Sequence, residues 1–336
     1  MKKIDRREFL KWGFGAVSAT GLAGCGLMNR VFSIEKNNLD REVLIVGGGL
    51  AGLTAAYELK KAGVPFRLFE ASSRLGGRVM TLKEFGGEGG FIDMGGEIIE
   101  AHHQAIRKLC DEFYLKLEDV SANESPSRDV FVVDGRLEGP TEFFHRIRPV
   151  IDSSIRLAQR FFGDEIPDVE RLKILQNDAH ARQLDQMSVF ELFSSQNMRL
   201  DRRYVLTYAN AFRADTGGDP ENFSALAWVL RTHYLQQKRL NFGRNQYQLQ
   251  FGSSLLVRTL YDRICGVLPD YLVRLNSPLK SIRQRGNRIE CIFQTPQGAM
   301  EVSAQRVILA MPLIKLRDVK GLLSLEGDPD IKRAIQ

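Results

Sequence analysis

Between the apolar runs Val43-Leu44-Ile45-Val46 and Pro65-Phe66-Arg67-Leu68-Phe69-Glu70 stands Gly47-Gly48-Gly49-Leu50-Ala51-Gly52, which leads into the helical pattern Thr54-Ala55-Ala56-Tyr57-Glu58-Leu59. This order of strand, glycine-rich turn, helix and strand constrains the chain more than any other feature. Gly47 permits the tight turn, Gly49 lets the backbone approach a pyrophosphate, and Gly52 lets the helix pack closely on the sheet. The helix start at Leu50 and Ala51 presents unpaired N–H groups and the positive end of a dipole, which favour phosphate. Glu70 closes the second strand at about the 20-residue distance from Gly52 expected of the acid that takes the ribose hydroxyls. The chain is therefore expected to hold a dinucleotide on an α/β, Rossmann-like domain.

Two further segments extend that site. In Ala71-Ser72-Ser73-Arg74-Leu75-Gly76-Gly77-Arg78, two arginines flank a glycine pair, and a guanidinium has fixed donors that suit a diphosphate. Phe91-Ile92-Asp93-Met94-Gly95-Gly96-Glu97 reads as a strand running into a turn that leaves a flat ligand unobstructed. On these residues the chain resembles the flavin-containing amine oxidases, the group of monoamine, polyamine and L-amino-acid oxidases. The resemblance runs from about Arg41 onward; it is strongest over 43–81 and 92–96 and fainter over 246–336.

The resemblance implies FAD as cofactor, on a nucleotide domain of the GR2 type interrupted by a largely helical substrate domain. It places Leu279 where a backbone contacts the adenine, and Ala310, before Met311-Pro312, where a strand end passes near the flavin. The expected cofactor-binding set is Gly47, Gly49, Leu50, Ala51, Gly52, Glu70, Ala71, Arg74, Gly77, Arg78, Gly95, Gly96, Glu97, Leu279 and Ala310. The implied chemistry is hydride transfer from an amine-bearing carbon to flavin, with O₂ as acceptor, giving an imine and hydrogen peroxide. No metal is implied. A desaturase-like or protoporphyrinogen-oxidase-like enzyme of the same fold is the alternative, and so is an FAD-binding remnant or split half.

The first residues read as an address. Lys2, Lys3, Arg6, Arg7 and Lys11 form a positive region, and Asp5-Arg6-Arg7-Glu8-Phe9-Leu10-Lys11 looks like a twin-arginine export signal. A Gly/Ala-rich apolar stretch then ends in Leu22-Ala23-Gly24-Cys25, which resembles a bacterial lipobox. Export and lipid anchoring at Cys25 are the expectation, on the periplasmic or extracellular face of a bacterial membrane. The chain carries net charge +6, but residues 1–24 hold five basic and two acidic side chains, leaving +3 for the rest. A nucleic-acid partner is therefore not expected from charge. Cys110, Cys265 and Cys291 lack metal-ligand spacing and read as buried free thiols.

The expected organisation is a signal over 1–25, a linker over 26–40, FAD-domain segments over 41–120 and 246–320, and a helical substrate domain over 121–245. A further substrate-domain segment begins over 321–336. Val130 to Leu137 reads as a hairpin turning at Asp134-Gly135. A helix is expected over 102–115, a capping box at Ser188 and Glu191, and a helix over 223–234 after the Gly217-Gly218-Asp219-Pro220 break. Strands are expected after Gly252: 271–275, 279–282, 288–293 and 306–310.

Other candidates carry blander readings. His102 and His103 suggest a metal pair or a base, yet neighbours on a helix point about 100° apart, so a solvated helix start is the expectation. Phe143, Phe144, Phe161, Phe162, Phe190 and Phe193 fit core better than an aromatic channel, and Asp93 fits a structural role better than a catalytic one. The positions after Gly96 are Glu97-Ile98-Ile99-Glu100, where the family's amino-acid oxidases carry an arginine for the substrate carboxylate; an amine substrate is favoured. Family members continue beyond the position of Gln336 into the segment that supplies the lysine near flavin N5, so no catalytic residue is assigned and a C-terminal partner chain is a possible complement.

Overall fold

The computed structural model describes residues 41–120, 131–163, 177–195, 217–237, 246–266 and 272–325, together with 175, 201, 203, 204, 206–208 and 213. Arg6, Arg7 and Cys25, with the signal and linker expected over 1–40, lie outside the described residues. The chain divides into two compact units, one from Met1–Glu118 with Gln248–Gln336, the other Asp119–Tyr247.

In chain order the first unit begins with β1 (Val43–Val46), α1 (Leu50–Lys61), β2 (Phe66–Phe69), β3 (Met80–Lys83), β4 (Phe91–Gly95), β5 (Ile99–Glu100), α2 (Gln104–Glu112) and β6 (Leu117–Asp119). The second unit holds β7 (Phe131–Val133), β8 (Arg136–Glu138), α3 (Pro140–Phe162), α4 (Ala179–Gln186), α5 (Val189–Ser194) and α6 (Ala225–Gln237). The chain returns through β9 (Gln246–Leu249), α7 (Ser254–Cys265), β10 (Val273–Arg274), β11 (Leu279–Arg285), β12 (Arg288–Thr295), β13 (Gly298–Ala304), β14 (Arg306–Leu309) and α8 (Leu313–Leu316).

Four strands in the order β10-β2-β1-β14 form a parallel sheet. All four residues of β1 are buried, as parallel strands covered on both faces require. One face of this sheet meets the antiparallel β11-β12-β13 meander, where Leu44, Val46 and Phe69 share a core with Cys291, Phe293 and Val302. The rings of Phe69 and Phe293 stack there at 4.2 Å and 16°, a geometry worth about 0.5–1.5 kcal/mol beyond burial alone. Helix α1 packs against β1, β2 and α7; Leu53 and Ala56 of α1 and Leu260 and Ile264 of α7 are fully buried.

The second unit is mainly helical, with one hairpin. Asp134 (φ 51°) and Gly135 (φ 75°) turn β7 into β8, the two left-handed residues that match a hairpin's twist. Ser188 and Glu191 cap α5 reciprocally. Phe143 and Phe193 are almost fully buried, and Trp228 Nε1 donates to Ser154 Oγ at 3.1 Å. The phenylalanines are therefore mostly core, although Phe144 is 44 % exposed.

One expected helix start moves, and two elements join those expected. Helix α2 starts at Gln104 rather than at 102, so His102 and His103 precede it. The segment after Gly252 is a helix before it is a strand, because Leu256, Val257, Leu260 and Ile264 recur at helical spacing and are buried together. The sheet after it has a third strand, β13, whose alternating burial completes the meander.

Candidate dinucleotide site at the sheet switch point

Helix α1 follows β1 and leads to β2 on one side, while β14 lies on the other. The strand order therefore reverses at β1, and the crevice outside its C-terminal end is where open α/β sheets bind ligands. The glycine-rich turn occupies that end. Gly47 has φ +109°, and a Cβ on it would collide with the Ala310 carbonyl at the end of β14. At Gly52 a Cβ would collide with the Gly47 carbonyl, so α1 sits as close to the turn as backbone allows. Gly49 differs: the nearest atom to a Cβ there is Gly77 Cα at 4.0 Å, leaving open space.

Gly49 is also the N-cap of α1, with no side-chain cap and no acid in the first turn. The first N–H groups of the helix, at Leu50 and Ala51, thus have no side-chain acceptor supplied at the cap, and Ala51 is exposed. Such a terminus offers backbone N–H groups that can take an anion.

Glu70 sits where β2 ends. Its Oε2 accepts the Gly48 N–H at 2.6 Å, and its Oε1 accepts the N–H and the hydroxyl of Ser72, both at 2.8 Å. The carboxylate is thereby locked beside the turn, and Oε2, which accepts one hydrogen bond, keeps a further lone-pair direction for a ribose hydroxyl. Ser277 N–H donates to the Glu70 carbonyl at 2.8 Å, which brings the start of β11 and the buried Leu279 to the same side.

The arginines separate. Arg74 donates to the carbonyls of Leu75 (3.1 Å), Val79 (3.0 Å) and Gly77 (2.6 Å), so its guanidinium folds the loop over which a diphosphate contact was expected. Arg78 is exposed, without a partner among the described residues. Between them Gly76 donates its N–H to the Gly48 carbonyl at 2.8 Å, and Gly77 crosses directly over Gly49. The glycine pair is required by this backbone crossing. Ala71 and Glu97 are both exposed.

Beyond the turn, Gly95 and Gly96 pack on the backbone and side chain of Arg78 and Val79, with no room for a Cβ at either. Asp93 holds this arrangement. It accepts from the Thr81 hydroxyl and from the Ser253 N–H at 3.0 and 3.2 Å, while Ser253 Oγ donates to the Gly96 carbonyl at 2.6 Å. Thr81 and Ser254 exchange two more hydrogen bonds, at 2.8 and 2.9 Å. Asp93 therefore caps α7 and fixes Gly96, a structural role as expected. Thr81, Ser253 and Ser254 were not singled out from sequence; Ser253-Ser254 ahead of the periodic apolar run was the available signal.

A cavity of about 90 Å³ opens between these pieces, lined by Leu50, Val79, Gly96, Ile99, Ser253 and Leu256 among others. A larger, open hollow of about 540 Å³ lies by the β12–β13 turn, with Arg274 as its one charged lining residue. Cys110 and Cys291 are buried free thiols, and desolvation pushes them up to about 11 and about 12. They are inert as nucleophiles at neutral pH.

Known proteins share this fold. A pseudooxynicotine dehydrogenase of Pseudomonas sp is 22 % identical, over 94 % of this chain and 63 % of its own length. A probable flavin-containing monoamine oxidase A of Dictyostelium discoideum is 26 % identical, over 81 % of this chain and 57 % of its own. The solved structure of a putrescine oxidase bound to putrescine superposes with a TM-score of 0.63 at 23 % identity, covering 83 % of this chain and 60 % of that one. The chain thus spans about three fifths of the length of these relatives. Residues 50–336 match the model of the flavin containing amine oxidoreductases, and the chain belongs to that family.

Proposed function

We propose that this chain binds FAD at the β1 switch point and belongs to an enzyme that oxidises the C–N bond of an amine, with O₂ as acceptor. The observation that carries the reading is the uncapped α1 N-terminus, with Glu70 locked beside the glycine turn. The helix N-terminus holds the pyrophosphate, Glu70 takes the adenosine ribose hydroxyls, and Gly49 offers no side chain in between. A carboxylate at the ribose repels a 2′-phosphate, so FAD is preferred over NADP. Bound flavin supplies the two-electron acceptor for hydride from the amine-bearing carbon, and O₂ reoxidises it with release of hydrogen peroxide. The residues around Gly95 and Gly96, anchored through Asp93 and Ser253, give a wall free of side chains beside the cofactor.

Glu97 and Glu100 follow Gly96 where a carboxylate clamp would need an arginine. The Glu97 charge and the absence of an arginine over 97–100 support an amine over an α-amino acid. The chain is further proposed to be exported through Arg6 and Arg7 and lipid-anchored at Cys25; among the described residues no helix is long and apolar enough to cross a membrane.

The test supplies the full chain with FAD, NAD or NADP and follows flavin fluorescence and thermal stabilisation, then peroxide release from a panel of primary amines, polyamines and amino acids. Stabilisation by FAD alone supports the cofactor assignment. Peroxide from amines but not from amino acids supports the substrate class, and stabilisation by NADP without FAD binding refutes the reading.

A further inference from the structure

Glu100 ends β5, and His102 and His103 fill the turn between it and α2. Because the two histidines precede the helix, the 100° separation that keeps neighbouring helical side chains apart does not apply to them. Their rings lie 4.4 Å apart, centre to centre, and one ligand atom from each of Glu100, His102 and His103 falls within 4.8 Å of the others.

His102 adds an independent sign. Its Nδ1 is shielded from solvent and makes no hydrogen bond among the described residues, although Glu100 Oε2 stands 3.1 Å away. The contact with Glu100 is an ion pair on a half-buried ring, and a shielded nitrogen that makes no hydrogen bond is costly. A carboxylate oxygen and an imidazole nitrogen held at this separation, without a hydrogen bond between them, match two donors aimed at one cation bonded to each at about 2.0–2.2 Å.

We propose that Glu100, His102 and His103 bind a borderline divalent transition-metal ion, Zn²⁺ or Cu²⁺, through one oxygen and two nitrogens. That donor set suits imidazole-preferring metals and disfavours Mg²⁺ and Ca²⁺, which take oxygen ligands. Three protein ligands leave a coordination position open. His103 is oriented by the Glu100 N–H, which donates to its Nδ1 at 3.1 Å. Coordination through Nδ1 replaces this hydrogen bond with a metal bond, and coordination through Nε2 moves the ring proton onto Nδ1, which ends the same hydrogen bond. The site is therefore of moderate affinity. His103, Ile99 and Ile106 also line the 90 Å³ cavity, so the ion clamps the end of β5 to the start of α2 in that cavity's wall.

The full, untagged chain, stripped with a chelator and desalted, is titrated with ZnCl₂ by calorimetry and by competition with a chromophoric chelator; CuCl₂ is followed by electron paramagnetic resonance. One Zn²⁺ per chain, a Zn²⁺-dependent rise in melting temperature and nitrogen hyperfine structure on Cu²⁺ are expected. His102→Asn and Glu100→Gln each weaken binding by more than about tenfold, while His145→Asn, at an exposed position in α3, leaves it unchanged. His103→Gln serves as a second ligand variant should His102→Asn fail to fold, which circular dichroism reports. Absence of Zn²⁺ binding by the folded wild-type chain overturns the proposal, as does binding that survives both histidine changes. MgCl₂ binding as tight as ZnCl₂ overturns the assigned metal class. None of these readouts depends on flavin or on amine oxidation, so the proposal stands or falls apart from the proposed function.

Discussion

Two glycines three residues apart in the same turn should fail in opposite ways when changed to alanine. At Gly52 the added methyl group meets the Gly47 carbonyl well inside the 3.0 Å below which Cβ atoms are essentially never found, and the obstacle is backbone. Either α1 or the turn must move by about 1 Å. Overpacking of this kind costs about 1–3 kcal/mol. For a unit of this size each kcal/mol lowers the melting temperature by about 2–4 °C, so Gly52→Ala should melt roughly 2–12 °C below the wild type before any cofactor is added. Gly49 has φ −75°, which any residue adopts, and a Cβ there meets nothing closer than 4.0 Å. Gly49→Ala should therefore melt only about 1–4 °C below wild type, from the loss of roughly 0.5–1 kcal/mol between Gly and Ala as an N-cap. Its methyl group instead occupies the open space that the pyrophosphate needs, and FAD affinity should drop by at least about tenfold. The assay is differential scanning fluorimetry of both variants without FAD, followed by titration with FAD under flavin fluorescence. Unchanged melting of Gly52→Ala would refute the close packing of helix on turn. Wild-type FAD affinity in Gly49→Ala would show that the phosphates do not pass over this residue.

Asp93→Asn keeps the shape but removes the charge at the α7 N-terminus, so the urea midpoint should fall by the equivalent of about 1 kcal/mol; an unchanged midpoint contradicts the capping role. Cys110 and Cys291, pushed up to about 11 and about 12, stabilise the fold fully below the unfolded thiol value, and this contribution is lost as pH rises from there through those values. A thiol-disulfide reagent at pH 8 should not label either thiol until urea unfolds the chain; rapid native labelling of Cys110 or Cys291 by mass spectrometry argues otherwise. Cys25→Ser should release the protein from the membrane fraction, and lysine at both Arg6 and Arg7 should retain it in the cytoplasm; an unprocessed, unacylated N-terminus in the wild type contradicts this.

The legible parts of the fold are those where backbone geometry dictates residue type. Gly47 and Gly52 could be read because nothing else fits beside the Ala310 and Gly47 carbonyls, and Asp134-Gly135 because a two-residue hairpin needs left-handed residues. Ser188 and Glu191 announced α5 for the same kind of reason. Helix α7 escaped because its start is fixed from outside: Ser253 lies in helical backbone and makes no local side-chain cap, while Asp93, distant in sequence, accepts its N–H. A local window contains Ser253 but not its acceptor, Asp93. The start of α2 was misplaced by two residues because His102 and His103 look like a continuation of the apolar stripe from Ile106, yet Gln104 N–H bonds to the His102 carbonyl in a tight turn.

Arginine 74 shows why residue type alone overstates a binding site. A guanidinium beside a glycine turn suits a phosphate, but here three of its hydrogen bonds end on carbonyls of its own loop. That loop has to cross the turn closely enough for Gly77 to lie over Gly49, and a chain bent so tightly leaves carbonyls that need donors. Glu70 does the complementary work on the other side by accepting the Gly48 and Ser72 N–H groups. The two charged side chains therefore shape the cradle, and the surface turned toward a cofactor is mostly N–H groups and glycine Cα atoms. Such a cradle needs no rearrangement of long side chains when a ligand arrives, so little conformational entropy is lost on binding. It also follows that replacing Arg74 should distort the glycine pair and weaken FAD through the loop's shape, whereas replacing Arg78, exposed and without a partner among the described residues, should act on affinity through charge alone and be screened by salt.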